Sequence, residues 1–348
     1  MPLEATKPRN APAHSGIEIL ARAQRNCDPL LRAAVVSLPE PLATMGGYHF
    51  GWWDPERSST SATQGKFVRA ALTFATAAVC DGSEESAAPA AAAMELLHNF
   101  TLIHDDVMDR DKTRRGRATA WNVWGITSAI LLGDALHSLA IQLLAETDLM
   151  EQSLALSIIS RIEKSCLKLC LGQFQDCAFE GQVAVTVDEY LQMAGAKTAS
   201  LMGTACALGA LSARADDQTV STMERFGYQL GLAFQAVDDV IGIWGDATNM
   251  GKPVGSDLVR RKATLPVVAA LNSNCDASTE LRELYRSESP TTYRDVARAI
   301  ALIEAAGGRE AAKHHAEERL RAAIALLPEV PAAAELIALS QVVVDRSR

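Results

Sequence analysis

After residue 84, apolar residues recur at three- and four-residue spacing through nearly the whole chain, and that period fits helices and little else. The stretches 88–109, 126–146, 150–178, 187–212, 217–244, 263–274, 293–306, 308–326 and 331–345 carry it. Alternating β-branched residues are scarce, so local preference agrees with the period and argues against a sheet protein. Thr186 followed by Glu189 reads as a capping box that opens the fourth stretch. Gly and Pro clusters at 249–257 and 326–334 fall between stretches. No internal repeat and no linker-length break divides them. The expectation is an all-α, single-domain fold with a loose amino-terminal arm: residues 1–15 a disordered tail, residues 16–348 the helical domain. Segment 46–69, GGYHFGWWDPERSSTSATQGKFVR, reads as a loop leading into the next helix, with Phe50, Trp52 and Trp53 as its packing.

Composition narrows the partners. The chain has 348 residues, 48% of them hydrophobic, enough for a large core. A net charge of −9 argues against nucleic acid as the main partner. Apolar runs such as AILLGDALHSLAIQLLAE are interrupted by acids and His, so no stable membrane insertion is expected. The first residues lack the apolar core of a secretory signal. Seven scattered cysteines do not resemble a disulfide framework, and reduced cytoplasm fits them best. Cys166, Cys170 and Cys177 lie close enough in sequence to suggest a metal, but without a matching His or Cys group they read as structural thiols.

Two acidic clusters point to chemistry. The first lies in LLHNFTLIHDDVMDRDKTRRGR, residues 96–117. On a helix, Asp105 and Asp109 point the same way, with Asp106 rotated by roughly 100°. Carboxylates placed together after an apolar turn repel one another, are poorly solvated and call for cations. A few oxygen donors, with the remaining positions left to water or phosphate, is how Mg²⁺ is usually held. The second cluster lies in LGLAFQAVDDVIGIWGD, residues 230–246: Asp238 and Asp239, then Gly242 where a third acid is expected, then Asp246. One such pair alone reads as a solvated helix face. Two pairs, each in an apolar helix and each followed by basic residues, reverse that reading. Arg114 and Arg115 follow the first; Lys252, Arg260, Arg261 and Lys262 follow the second. Acids, metals and several cations together suit a substrate with separable diphosphate groups.

The ordered set of Gly-Lys-x-x-Arg at 65–69, His98, DDxxD at 105–109, Arg114-Arg115, Lys197-Thr198, Phe234-Gln235, Asp238-Asp239 and GKPVGSD with Lys262 beyond it resembles the polyprenyl synthetase family over residues 64–270. The resemblance implies an isoprenoid synthase-type helical bundle with a central active-site cavity. It also implies a Mg²⁺-dependent trans-prenyltransferase that condenses isopentenyl diphosphate with allylic diphosphates, working as a homodimer. In that reading Asp105 and Asp109 hold two of three Mg²⁺ ions and Asp238 the third, with Asp106 and Asp239 in support. Arg114, Lys197 and Lys262 grip the allylic diphosphate, and Thr198, Gln235 and Lys252 complete its pocket. Isopentenyl diphosphate sits on Lys66, Arg69, His98 and Arg115. The chain departs from the commonest family pattern at Gly242, Ser256 and Ala70, and resembles an actinobacterial branch in doing so.

Phe100 and Thr101, one turn upstream of Asp105, are the residues that set product length by this resemblance, favouring C20 geranylgeranyl diphosphate over C15. Two rivals fit less well. A class I terpene cyclase needs no second diphosphate pocket and carries an N-x-x-x-S/T-x-x-x-E motif, which the region around Asn249 does not supply. A non-catalytic subunit of a heteromeric synthase usually loses part of the metal set, and here both clusters persist.

Overall fold

Ser15 starts the first helix. Its hydroxyl accepts from the Glu18 amide and the Glu18 carboxylate accepts from the Ser15 amide, a capping box that opens α1 (Gly16–Ser37). The computed structural model describes residues 15–60, 64–245, 255–287 and 292–344, so the tail to residue 14, Asp246 and Lys252 lie outside the described residues. Helix therefore begins at residue 16, which corrects the set of stretches read from the apolar period at its amino-terminal end. Ile19, Ala23, Cys27, Leu31 and Val35 recur every four residues along α1 and are all buried. The loop expected from residue 46 is likewise corrected at its start. Residues 46–50 complete α2 (Leu42–Phe50), which Gly51 ends in the left-handed conformation at φ 82°. Trp52 follows and stacks on Phe50 with ring centroids 4.8 Å apart.

Four helices form the middle of an all-α bundle: α3 (Val68–Val79), α4 (Glu84–Met108), α9 (Ser200–Ser212) and α10 (Asp217–Trp244). Their contact faces are rich in alanine, including the buried run Ala90 to Ala93, which lets the axes approach closely. Around them pack α5 (Ala120–Trp124), α6 (Ile126–Glu146), α7 (Gln152–Phe179) and α8 (Val187–Ala194). The helical stretch expected over 187–212 is interrupted by a five-residue π-helical turn, Gly195–Ala199. Beyond α10 come α11 (Ser256–Val259), α12 (Leu265–Leu271), α13 (Asp276–Arg286), α14 (Tyr293–Ala305), α15 (Gly308–Ile324) and α16 (Ala333–Val344), with α15 laid along α10. The only strands among the described residues are β1 (Thr113–Arg114) and β2 (Arg117–Ala118), a small antiparallel hairpin.

α6 carries more apolar surface than its core face uses. It is the one helix among the described residues long and apolar enough to cross a membrane, with a mean hydropathy of 1.5 over its best window. The cause is that it is apolar on two sides. Leu132, Leu136, Leu139 and Leu144 face the interior, while Ile126, Ile130 and Leu131 face outward.

Candidate active site

The carboxyl end of α4 carries the first acidic cluster. Asp105 lies on the last turn, and Asp109 is the C-cap, its amide donating to the Asp105 carbonyl at 2.7 Å. Asp106, 2% exposed, is turned inward. Arg114 on β1 meets it through Nη2 at 2.7 Å and through Nε at 2.9 and 3.0 Å. A forked pair this buried ties the hairpin to the helix, and removing one partner would strand a charge at a cost of about 3–5 kcal/mol. Asp106 thus supports the cluster through this pair, and Arg114 enters the site already held by it.

Asp105 and Asp109 meet a lattice of opposite charges drawn from three other parts of the chain. Lys262 Nζ lies 3.1 Å from one Asp109 oxygen and 3.4 Å from Asp176 on α7. Lys197 Nζ lies 2.6 Å from Asp176. Arg260 Nη1 donates to the Asp109 carbonyl at 2.9 Å and stands 3.4 Å from its carboxylate. Burial would raise the Asp176 carboxyl, but Lys197 and Lys262 outweigh it and hold the group below the usual range. Burial would likewise lower both lysines, and the acids beside them raise them instead. Asp105 is the exception: burial, with the Asp109 charge adding to it, leaves this carboxyl raised despite Lys197 and Arg114. Burial takes water from this carboxylate without the nearby cations making up for it, and an oxygen donor in that state fits a hard divalent cation.

Lys197 reaches this lattice from the π-helical turn, a local widening that often marks functional sites. The next residue, Thr198, donates to Gln235 Oε1 at 2.6 Å, and Gln235 Nε2 donates to Asp239 at 2.8 Å. The other Asp239 oxygen accepts from the Tyr190 hydroxyl and from the Leu265 amide. Burial pushes the Asp239 carboxyl up to about 7. With both oxygens used by the protein, Asp239 joins α10 to α8 and α12, which is a supporting place. Asp238, about 100° round α10, is partly exposed.

A second cationic group lies behind Arg114. In the hairpin turn Arg115 and Gly116 both have positive φ, 52° and 75°, the pattern of a type I′ turn. The turn sends Arg115 the other way from Arg114, so that its guanidinium would stand 3.0 Å from a Cβ on residue 65. Gly65 leaves that space open. Arg115 and Arg69 both act on Glu95 and on His98. Glu95 is buried and accepts from the Ala70 amide at 3.1 Å; burial still pushes its carboxyl up. His98 is pushed well below the usual histidine range by burial and then by Arg69, Arg115 and Arg114, so it is neutral at pH 7. Lys66 is exposed beside them, just ahead of Phe67, which takes the left-handed conformation at φ 54°. His49 completes the group, 3.1 Å from Asn99.

Thr101 is buried, its hydroxyl donating to the His98 carbonyl at 2.8 Å. Phe100 leans toward α6, its ring 5.1 Å from His104 and 5.4 Å from His137 between centroids. Sequence reasoning missed Asp176, Glu95, His49 and Tyr190. Only Asp176 had a legible signal: with Gln173 it continues the buried stripe of α7, where an acid is out of place.

The site therefore holds two cationic groups divided by the Asp106–Arg114 pair. One is laced with carboxylates and the other has a single buried acid, so it suits two anions of which one comes with divalent metal. The profile of the polyprenyl synthetase family matches residues 56–303. A geranylgeranyl diphosphate synthase of Mycobacterium tuberculosis is 56% identical over 99% of this chain and 98% of its own. A (2E,6E)-farnesyl diphosphate synthase of Mycobacterium bovis is 39% identical over 95% of this chain and 93% of its own. The crystal structure of a polyprenyl synthetase from Streptomyces coelicolor A3(2) superposes with a TM-score of 0.87 at 41% identity, covering 94% of this chain and 99% of that one.

Proposed function

The chain belongs to the polyprenyl synthetase family, and on that premise we propose that it condenses isopentenyl diphosphate with allylic diphosphates to a short all-trans product, C20 in preference to C15. The observation that carries this reading is the division of the site's cations into an acid-laced group and a nearly acid-free one. Asp105 and Asp109 on α4 and Asp238 on α10 are the donors that would hold three Mg²⁺ ions. When bound, the metal neutralises the allylic diphosphate and makes it a better leaving group.

The protein's own groups do the rest. Lys197 and Lys262 exchange their acid partners for diphosphate oxygens, stabilising charge as the allylic C–O bond breaks. Thr198 and Gln235 fix the position of the turn that delivers Lys197. Arg69, Arg115 and Lys66 hold the isopentenyl diphosphate, and neutral His98 contributes a hydrogen bond rather than a charge. The isopentenyl double bond attacks the allylic carbon, a C–C bond forms, and the proton lost from the adjacent carbon passes to the departing diphosphate. Apolar side chains beneath the acids keep water from the cation. Holding the two diphosphates in separate anchors orients carbon against carbon.

The same reading makes the chain a homodimer of the cytoplasm. Exposed Ile130 and Leu131 on α6 and Leu167, Leu171 and Phe174 on α7 offer an apolar face for a second copy, and all seven cysteines are unpaired.

The test is purified protein with Mg²⁺, isopentenyl diphosphate and each of the C5, C10 and C15 allylic diphosphates, with products dephosphorylated and sized. Linear C20 prenol is expected, and chelation should abolish it. Asp105→Ala and Asp109→Ala should each cost several orders of magnitude in turnover. Hydrocarbon released from an allylic substrate alone would favour a cyclase, and near-normal activity in either variant would overturn the metal assignment.

A further inference from the structure

Gly242 stands on α10 one turn after Asp238, at the place where the first cluster has Asp109 relative to Asp105. Side chains four apart on a helix project in parallel, so a carboxylate at 242 would lie beside Asp238. That place is already taken. A Cβ on Gly242 would stand 2.4 Å from Asp257 Oδ2 and 3.3 Å from its Cγ, so any side chain there would have to push this carboxylate aside. The acid that α10 lacks thus reaches the same spot from α11.

We propose that Asp257 is the third carboxylate of the second metal cluster, and that residue 242 is glycine so that this carboxylate can lie beside Asp238. The inference rests on the metal-and-diphosphate reading given above. Among the described residues the ion pair of Asp257 is a long one: Arg260 Nη2 is 3.9 Å away, while the same guanidinium makes shorter contacts with Asp109 at 3.4 Å and Asp111 at 3.6 Å. Its side chain remains 21% exposed, open to an ion. Its backbone is fixed, because the Lys262 amide donates to the Asp257 carbonyl at 2.9 Å. The turn that presents this acid to α10 is therefore the turn that sends Lys262 Nζ to Asp109 and Asp176. One short segment delivers an acid and a cation to the two sides of the site.

The test counts bound Mn²⁺ from the electron paramagnetic resonance of the free ion, with dimethylallyl thiolodiphosphate present because its C–S bond does not ionise at a useful rate. Wild type is compared with Asp257→Asn, Gly242→Ala and the double variant Gly242→Asp with Asp257→Asn. Asp257→Asn keeps shape and removes charge; it should weaken the last Mn²⁺ to bind by about ten- to a hundredfold. Gly242→Ala keeps every charge but pushes the Asp257 carboxylate aside, and it should do the same. The double variant returns an acid to α10 and should recover most of the loss. Thermal melting without metal should be alike for wild type and Asp257→Asn, which separates lost binding from lost fold. Undiminished Mn²⁺ binding in both single variants, while wild type binds normally, would overturn the role of Asp257 alone. So would a well-folded double variant that binds no better than Asp257→Asn. Failure of wild type to bind Mn²⁺ with the diphosphate would overturn this role and the proposed function together.

Discussion

His49 and His98 each have three arginines acting on them and stay uncharged at neutral pH. Although part of its ring keeps solvent access, burial and then Arg115 and Arg114 push His49 down to about 3, with the Asn99 hydrogen bond opposing them. A histidine that is neutral when folded but free to protonate when unfolded binds fewer protons in the native state. The stability it contributes is present above the ordinary pKa of about 6.5 and is lost as pH falls toward its folded value. The melting temperature of the metal-free protein should therefore drop as pH falls from about 6.5 to 4. His49→Gln should flatten that drop, and melting curves at matched pH with identical slopes for both proteins would refute it. Legibility at this scale follows from distance along the chain. Asp105 and Asp109 could be read because one helix sets them side by side. The meaning of Asp176, Glu95 and Asp257 depends on Lys197, Arg115 and Gly242, which only folding brings near.

Helices were legible where a long apolar stripe ran uninterrupted, as in α6 and α10, whose ends fall where the period predicts. α1 was missed although its stripe is regular, because Pro29 lies within it and polar residues separate its apolar positions. The π-helical turn left no mark on the pattern. α7 lies close against it: a Cβ on Gly172 would stand 2.3 Å from the Lys197 nitrogen, so the backbones meet there and Lys197 arrives beside Asp176, one turn along α7. The pairing of α4 with α6 has a functional consequence. On the proposed reading Phe100 is the stop for the growing product; it rests on His137, whose Nε2 lies 3.0 Å from a Glu163 oxygen, so it is backed from both α6 and α7. Phe100→Ala should shift products from C20 to C25 and longer, measured by chromatography of the dephosphorylated prenols. An unchanged distribution would remove Phe100 from that role.

At the scale of the whole molecule, the apolar outer faces of α6 and α7 set the expected assembly. Charges placed there should be tolerated by the fold, since these side chains do not enter the core, but not by a dimer. Leu131→Glu with Leu171→Glu should halve the mass measured by light scattering while helical circular dichroism is kept, and an unchanged mass would place the interface elsewhere. The all-α class was open to sequence, whereas which faces stay outside was not, because α6 is apolar on both. The lattice of Lys197, Asp176, Lys262, Asp109 and Arg260 bears on how the whole site fills. Each of these charges already has a match in the protein, so a metal ion drawn to an acid sets a lysine loose, and a diphosphate that takes the lysine uncovers an acid. Metal and diphosphate must then promote each other's binding by the same factor, whichever comes first.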